Sequence, residues 1–400
     1  MSKKSSSDET LCVSHPEASL EGFLGFSVPV YRASTIVYPD ANAFRNRRTR
    51  GPEGYTYGLF GTPTSRSLER QISMLQKAEG TLIVPSGQAA ITSVMLAFLR
   101  KNDHLLIPDN VYPPVKEFAK EFLTKFGIIS EVFDPTNLAD IQRRLRPGVT
   151  RLVWVESPGS TSLEVCDLHA ISQQAHAAGA IVGCDNTWAT ALLCKPIQLG
   201  VDVVAEALTK YVGGHSDILL GSVSFRDRAL YEQARQQVGS LGIGVSPDEC
   251  SLALRGIETM ALRLRHVGYV ALTFARRLCG NPGISAVLHP ALTNSVGHDL
   301  WQRDFASSST GVFTLLLEGV SNAVVDQALD SLKTFKIGFS WGGTHSLIVP
   351  ADLGNERELM SVPTNAVHLR ISIGLEDIDE LWRDLENICE LFAKNRRRSS

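Results

Sequence analysis

Residues 201–217 have the sequence Val-Asp-Val-Val-Ala-Glu-Ala-Leu-Thr-Lys-Tyr-Val-Gly-Gly-His-Ser-Asp. Residues 201–207 form an apolar, strand-like run, and the chain then enters a loop with two adjacent glycines. Lys210 lies just past the predicted strand, among small and hydroxylated neighbours. In open α/β sheets, ligands bind outside the carboxyl ends of the strands. The segment therefore predicts a lysine amine that projects into a ligand-binding crevice.

The sequence around this stretch predicts an α/β fold built on a mostly parallel sheet. Between residues 81 and 227, short β-branched runs alternate with helical patterns. The predicted strands are 81–84, 104–108, 128–133, 151–155, 180–184, 201–207 and 218–225, and the predicted helices are 87–99, 115–126 and 168–178. This alternation is typical of βα units whose sheet is buried on both faces.

A different pattern begins near residue 246 and predicts a second, smaller α/β domain. A helical segment over 260–278 is followed by strands at 311–317 and 368–373, a helix at 323–332 and a closing helix with one apolar face. The 400 residues are too many for one ordinary core, so we expect two domains. We predict an arm over residues 1–60, a large domain over 61–255 and a small domain over 256–400.

Composition narrows the functional class. Apolar residues make up 44% and charged residues 20%, and the net charge is −3, which favours a soluble globular protein without affinity for nucleic acid or membranes. No apolar run reaches the roughly 20 residues that span a bilayer, and the first residues lack the apolar core of a signal peptide. The 7 cysteines are scattered without Cys-x-x-Cys spacing, which predicts reduced thiols, no metal site and a cytoplasmic location.

Two other segments place polar groups just past predicted strands. Ser86-Gly87-Gln88-Ala89 opens a helix, where free N–H groups can bind an anion, although a serine alone there is an ordinary helix cap. Asp185 ends a strand, where a buried carboxylate needs either a cationic ligand group or a hydrogen-bond network. With Lys210, these segments supply what pyridoxal phosphate (PLP) requires. The amine forms a Schiff base with the cofactor aldehyde, and the carboxylate pairs with the pyridinium nitrogen.

Three further sequence features have both a functional and a simpler explanation. Tyr112 follows the strand at 104–108 and could stack on a flat heterocycle, although alone it is more often a packing residue. Arg370 is isolated in an apolar run and suits bidentate binding of a carboxylate, with an internal salt bridge as the alternative. The run 338–342 matches the Gly-x-Ser-x-Gly pattern of hydrolases, but an extended segment follows where a helix is required, so we reject that interpretation.

Taken together, these motifs resemble the PLP-dependent enzyme family of cysteine and methionine metabolism, and within it the bacterial cystathionine β-lyases. The resemblance extends from about Gly25 to Phe392. Its most specific passages are Tyr57-Gly58, Gly61-Thr62-Pro63-Thr64, Glu156-Ser157-Pro158-Gly159-Ser160, Asp185-Asn186-Thr187-Trp188, Thr209-Lys210-Tyr211, Gly214-His215-Ser216-Asp217, Ser340-Trp341-Gly342-Gly343 and Arg370 through Asp377.

The resemblance implies a fold-type I, aminotransferase-like subunit assembled as a homotetramer, a dimer of dimers. It implies that Lys210 holds PLP as the internal aldimine and then moves the Cα proton, and that Asp185 keeps the pyridine nitrogen protonated. Tyr112 would stack on the ring and assist catalysis. The phosphate would be held by Gly87, Gln88, Ala207 and Thr209, with Tyr57 from the arm of a neighbouring subunit. The substrate would be bound by Ser340 and Arg370, which contact its α-carboxylate, and by Phe339 and Trp341.

Two positions depart from the family pattern. Leu59 stands where the family usually has a phosphate-binding arginine, a loss of about 1.5–3 kcal/mol for a charged hydrogen bond unless Arg48, Arg50 or Arg66 substitutes. We expect PLP to be bound nonetheless. Phe339 stands where close relatives have tyrosine and γ-lyases often have glutamate, which favours β-elimination.

The sequence thus predicts a carbon–sulfur β-lyase that converts L-cystathionine and water into L-homocysteine, pyruvate and ammonia. The alternatives are a cystathionine or methionine γ-lyase, a γ-synthase, a broad cysteine-conjugate β-lyase and, more remotely, a PLP-fold binding protein without turnover.

Overall fold

A computed structural model describes residue 22 and residues 25–51, 53–351, 353, 357–360 and 366–399. The first 21 residues of the predicted arm, with Cys12, lie outside the described residues. Two sheets organise the chain, and the helices pack around them. The α-helices within the described residues are Ala41–Arg45, Pro63–Gln76, Gly87–Phe98, Pro113–Glu117, Leu138–Arg144, Leu168–Ala177, Thr190–Leu193, Arg228–Ser240, Pro247–Leu278, His298–Asp304, Asn322–Asp330 and Ile378–Ser399.

The first sheet confirms the predicted α/β class. Its strands are β1 (Gly80–Val84), β2 (His104–Pro108), β3 (Ile129–Phe133), β4 (Thr150–Glu156), β5 (Ile181–Asp185), β6 (Val203–Glu206) and β7 (Gly221–Phe225). Their order is β1-β7-β6-β5-β4-β2-β3. Neighbouring strands in the series β6-β5-β4-β2-β3 are parallel. Strand β7 runs antiparallel to both of its neighbours, β6 and β1. A parallel connection needs a crossover, usually a helix, and the fully described stretch between β6 and β7 contains no helix.

The second sheet lies in the C-terminal part of the chain. Its strands are β8 (Ala286–Leu288), β9 (Val312–Glu318), β10 (Lys336–Ile337), β11 (Leu347–Ala351) and β12 (Ala366–Ser372), in the order β10-β11-β12-β9-β8. Every pairing is antiparallel except that of β10 with β11. The division of the chain into an arm, a large domain and a small domain stays a prediction.

One apolar core joins the two sheets. It contains Leu208 and Tyr211 from the loop between β6 and β7, Leu369 and Ile371 from β12, and residues of the helix Pro247–Leu278 such as Leu264. That helix starts earlier than the predicted 260, because Ser246 caps it and Pro247 occupies its first position. The loop that carries Lys210 and the strand that carries Arg370 therefore rest on a common packed interior.

One predicted helix is not continuous. The segment predicted as a helix over 115–126 forms a short α-helix at Pro113–Glu117, a π-helical turn at Phe118–Phe122 and a 3-10 turn at Leu123–Phe126. The rings of Phe118 and Phe122 stack with centroids 4.9 Å apart. The apolar pattern identified the helical character of the segment but not these changes in helix type.

No helix among the described residues is long and apolar enough to cross a membrane.

A buried carboxyl group lies at the end of β6. Glu206 is 3% exposed, and Gln76 Nε2 donates to its Oε2 over 2.9 Å. Burial raises the pKa of Glu206 to about 8, so the group is largely protonated in the folded protein at neutral pH. Gln76 Oε1 is buried and has no hydrogen-bond partner among the described residues.

Glu206→Gln is expected to stabilise the protein more at pH 8.5 than at pH 6. An unfolded glutamate ionises near pH 4, so the stability that depends on protonated Glu206 decreases as pH rises from about 4 towards 8. The neutral amide of this variant avoids the loss and can donate to Gln76 Oε1, a gain of about 1–3 kcal/mol at high pH. Thermal midpoints at the two pH values measure the effect. Glu318→Gln, at an exposed position, is the control, and an equal shift at both pH values would contradict the assignment.

Candidate active site

A cavity of about 240 Å³ opens where β4, β5 and β6 end. The three strands end in register, since Glu156 pairs with Asp185 and Asp185 pairs with Ala205. All the predicted site residues except Tyr57 line this cavity, namely Gly87, Gln88, Tyr112, Asp185, Ala207, Thr209, Lys210, Phe339, Ser340, Trp341 and Arg370. The structure therefore brings together groups from both sheets that are far apart in sequence.

The amine of Lys210 lies inside the cavity. Its Nζ donates to Ser340 Oγ over 2.5 Å and lies 5.3 Å from the centre of the Trp341 ring. Burial, together with the charge of Arg370, lowers the pKa of Lys210 to about 8, while the charge of Asp185 opposes the change. A substantial fraction of the amine is therefore neutral near physiological pH, as a nucleophilic or basic lysine requires.

Two carboxyl groups lie side by side at the ends of β4 and β5. Asp185 Oδ1 accepts a hydrogen bond from the backbone N–H of Thr187 over 2.8 Å. Burial raises the pKa of Asp185, although its bonds with Thr187 and the charge of Lys210 oppose the shift. Glu156 also lines the cavity, and burial together with Asp185 raises its pKa well above the usual value. A pyridinium N–H⁺ placed beside these two acids would favour the ionised form of a carboxyl group and offset the cost of its burial.

Glu156 was missed as a site residue by the sequence analysis. Its Oε2 accepts the backbone N–H of Tyr112 over 2.7 Å, so it fixes the start of the segment that carries the tyrosine. Burial raises the pKa of Tyr112, and Glu156 raises it further. The available signal was the position of Glu156 at the end of a strand, the same criterion that selected Asp185. Thr187 and Trp188 also line the cavity and were quoted only as part of a motif.

The part of the cavity formed by Gly87 and Ala207 suits an anion. The helix Gly87–Phe98 starts there, with Ser86 as its cap and with backbone N–H groups that a helix start leaves unpaired. A Cβ on Gly87 would lie 2.5 Å from Cβ of Ala207, so only glycine allows this approach. The backbone N–H of Ala207 already donates to Thr187 Oγ1, and the Thr209 hydroxyl donates to the Leu220 carbonyl. Phosphate binding by Ala207 and Thr209 stays a prediction.

The part of the cavity wall that contains Arg370 of β12 is suited to binding a carboxylate. Arg370 on β12 is 8% exposed, and its Nη2 lies 3.5 Å from the carbonyl oxygen of Ser340. The guanidinium carbon also lies 4.9 Å from the centre of the Phe339 ring. Ser340 has a φ of 124°, an unfavourable conformation for a residue with a side chain, and such strain is concentrated at functional sites. Ser340 is followed by β11 (Leu347–Ala351), in agreement with our rejection of the hydrolase pattern.

Tyr57 lies outside this cavity, and its side chain is 49% exposed. The carbonyl oxygen of Phe60 accepts hydrogen bonds from Arg66 and Arg235, which hold the segment around Leu59 against the rest of the subunit. Arg66 is itself buried in an ion pair with Glu69, with 2.6 Å between Nη1 and Oε2. It is thus committed inside its own subunit and is a poor substitute for an arginine at Leu59.

The cavity therefore fits PLP in its donor set. Lys210 can attach the aldehyde carbon, Asp185 can pair with the ring nitrogen, and Tyr112 offers an aromatic face. The start of the Gly87 helix can hold the phosphate. A fold of this kind with this site defines a PLP-dependent enzyme.

Comparison with known proteins identifies the family. The model of the Cys/Met metabolism PLP-dependent enzyme family matches residues 9–389, and the chain belongs to that family. It is 36% identical to the cystathionine beta-lyase MetC of Escherichia coli over 364 residues, which cover 89% of this chain and 91% of that protein. It is 32% identical to a cystathionine gamma-lyase of Bacillus subtilis over 372 residues, which cover 90% of this chain and 94% of that protein.

A solved structure of cystathionine gamma synthase from Xanthomonas oryzae pv. oryzae, in complex with aminoacrylate and cysteine, has a TM-score of 0.85 to this chain at 28% identity. The match covers 94% of this chain and 95% of that one. The α/β fold of the PLP-dependent cystathionine synthases and lyases and the PLP cofactor are thus confirmed. Relatives that cleave or form bonds at Cβ and at Cγ are both found, so the family alone does not define the reaction.

Gly87→Ala is expected to lower the affinity for PLP by at least about tenfold. The added Cβ would collide with Ala207 and displace the N–H groups that we expect to hold the phosphate, and one charged hydrogen bond is worth about 1.5–3 kcal/mol. Equilibrium dialysis of the apoprotein against PLP measures the change. Adding Ala207→Gly removes the atom that is struck and should restore part of the affinity. Unchanged PLP binding in Gly87→Ala would show that this helix start does not hold the phosphate.

Proposed function

We propose that the protein is a cystathionine β-lyase, which cleaves L-cystathionine by β-elimination to L-homocysteine, pyruvate and ammonia. The observation that carries the proposal is the pair of aromatic side chains, Phe339 and Trp341, on either side of Ser340 in the cavity wall. An apolar ring at position 339 gives a distal ammonium no counter-charge and supplies no base for the Cβ proton that γ-elimination must remove. The identity to the Escherichia coli β-lyase supports the same choice.

The residues of the chain have separate tasks in this reaction. When bound, PLP supplies an electron sink for the charge that develops at Cα of the amino acid. Arg370 binds the substrate α-carboxylate with its planar fork and fixes the orientation of the Cα–H bond. The amine of Lys210, held 2.5 Å from Ser340 Oγ, removes the Cα proton, which its pKa of about 8 permits.

The leaving thiolate needs a proton when the Cβ–S bond breaks. Lys210, which has just accepted the Cα proton, and Tyr112, whose raised pKa keeps its hydroxyl protonated, are the two donors in the cavity wall that we assign to this step. The enamine that is released then takes up water to give pyruvate and ammonia. Phe339 and Trp341 give this part of the cavity wall an apolar lining.

The assembly and location are part of the proposal. A homotetramer, as a dimer of dimers, would bring Tyr57 of one subunit towards the cavity of another, which agrees with its exposure and its position outside its own cavity. The arm 1–60, the large domain 61–255 and the small domain 256–400 are the units we propose for this subunit. We also propose a cytoplasmic enzyme with small sulfur amino acids as its partners.

The keto acid formed from cystathionine tests the reaction. β-Elimination gives pyruvate, whereas γ-elimination gives 2-oxobutyrate, and the two are separated by chromatography after derivatisation. Lys210→Ala should abolish keto-acid formation while the protein stays folded, because Lys210 is the only lysine among the described residues that line the cavity. Lys336→Ala, at an exposed lysine, is the matched control and should retain full activity. A predominance of 2-oxobutyrate, or full activity of Lys210→Ala, would refute the proposal.

Leu59→Arg tests the proposed contribution of the arm to a neighbouring cavity. An arginine at this position should contact the phosphate and raise the affinity for PLP by about tenfold or more, since a charged hydrogen bond is worth about 1.5–3 kcal/mol. Leu59→Gln, which is polar but uncharged, should have little effect in the same dialysis measurement. Equal affinities of wild type and Leu59→Arg would argue against this placement of the arm.

A further inference from the structure

A buried cluster of charges lies beside the cavity, and its charged side chains do not line it. Its centre is Asp109, a fully buried residue directly after β2. Lys116 Nζ lies 3.2 Å from Asp109 Oδ1, and Arg357 Nε lies 3.1 Å from Oδ2. The backbone N–H groups of residues 358–360 donate to the same carboxylate over 2.8 to 3.2 Å.

These donors keep the carboxylate charged. Burial by itself would raise the pKa of Asp109, but the backbone N–H groups of Glu358 and Met360, with Arg357 and Lys116, hold it below its usual value. An ionised, fully buried carboxylate with this many donors is fixed in one orientation. The turn that leads to Tyr112 starts at Asp109, so the fixed side chain of Asp109 restrains the start of that turn.

Arg357 connects this turn to a second wall of the cavity. Its side chain is only 3% exposed. Nη1 donates to Ser162 Oγ over 2.8 Å, and Nη2 donates to Glu164 Oε1 over 3.1 Å. The neighbouring residues Ser160, Thr161 and Leu163 line the cavity. One guanidinium therefore links the turn before Tyr112 to the loop 160–164.

The loop 160–164 has a backbone that needs such support. Thr161 has a φ of 63° and Leu163 a φ of 62°, the left-handed region that favours glycine. Non-glycine residues keep such conformations only where their surroundings fix them. The backbone N–H of Ser160 also donates to the Asn110 carbonyl over 3.0 Å, which joins the loop directly to the turn after Asp109.

The same cluster reaches the second sheet through the chain. Residues 357–360 lie in the connection between β11 and β12, and β12 carries Arg370. Asp109 thus ties the segment that leads to Tyr112 to the segment that leads to Arg370.

We propose that Asp109 and Arg357 are positioning residues, which hold Tyr112 and the loop 160–164 in place relative to Arg370 without touching the substrate. This proposal rests on the proposed function only in assigning Tyr112 and Arg370 to the reaction. Lysine cannot replace Arg357. The three nitrogens of the planar guanidinium contact Asp109, Ser162 and Glu164 simultaneously, and a single ammonium cannot reach all three.

Arg357→Lys in the holoenzyme is the test, since it keeps the charge and removes the fork. Hydrogen exchange should become faster in peptides covering 109–112 and 160–164, and stay unchanged in peptides within the helix Ile378–Ser399. Turnover per bound PLP should fall roughly 10- to 100-fold, the loss expected when a reacting group is misplaced by about 1 Å. Asp109→Asn should cause a similar loss, and the double variant little more, because the two residues act as a unit.

Lys120→Gln is the matched control. Lys120 Nζ lies 2.6 Å from Glu358 Oε1 in a partly exposed ion pair on the same segment, and removing it should change neither exchange nor turnover. Should Arg357→Lys not fold, Ser162→Ala, which removes one of its contacts, should show the same changes to a smaller extent.

Turnover per bound PLP equal to that of wild type, with only a lower thermal midpoint, would overturn the proposal, since the pair would then be merely stabilising. Unchanged exchange at 109–112 and 160–164 would overturn it as well. The exchange measurement needs no substrate. A wild-type enzyme that forms no pyruvate would therefore reject the proposed β-lyase reaction and leave this test intact.

Discussion

The common end point of β4, β5 and β6 is the constraint on which the site depends. Parallel pairing in register places Glu156 beside Asp185, and the chain leaving β6 then passes Ala207 on its way to Lys210. The helix that starts at Gly87 can approach this edge only because residue 87 has no side chain. An acid pair, an amine and a helix start are thereby brought to one cavity by backbone pairing, before any ligand contributes.

Burial then gives these groups their chemistry. The same exclusion of water that raises the pKa of Asp185 lowers that of Lys210 to about 8. If both were exposed to water, Asp185 would be an ordinary ionised carboxylate and Lys210 an unreactive, protonated ammonium. Inside the cavity each is destabilised in its charged form, and each gains from a ligand that offers the opposite charge or a bond to the amine. The protein is therefore prepared for a cationic ring nitrogen at one place and an aldehyde at another.

Much of this could be predicted from local sequence, and the limits have physical causes. Lys210, Asp185 and Gly87 were found because strand ends are visible as apolar runs that stop at polar residues. The direction of β7 was not predicted, because an apolar run contains no information on direction; the missing helix between residues 207 and 218 was the available signal. Glu156 satisfied the strand-end criterion but was quoted only as part of a motif.

Other residues lay beyond local reasoning. Arg370 comes from the second sheet and Ser340 from the loop between β10 and β11, and only the family resemblance connected them with Lys210. Asp109 and Arg357 are separated by most of the chain, and their pairing depends on how the two sheets pack. Tyr57 lies outside the cavity of its own subunit, so the role proposed for it depends on the proposed assembly, which one chain does not contain.

The shared core beneath Lys210 and Arg370 has a consequence for altering this enzyme. Because Leu208 and Leu369 pack into the same interior, that interior supports both the amine of Lys210 and the guanidinium of Arg370, the two groups proposed to bind the amino-acid end of the substrate. Phe339, at the rim, is 72% exposed and is not held by that interior. Libraries intended to broaden the range of accepted substrates should therefore vary the rim at Phe339 and leave the shared core beneath Lys210 and Arg370 unchanged.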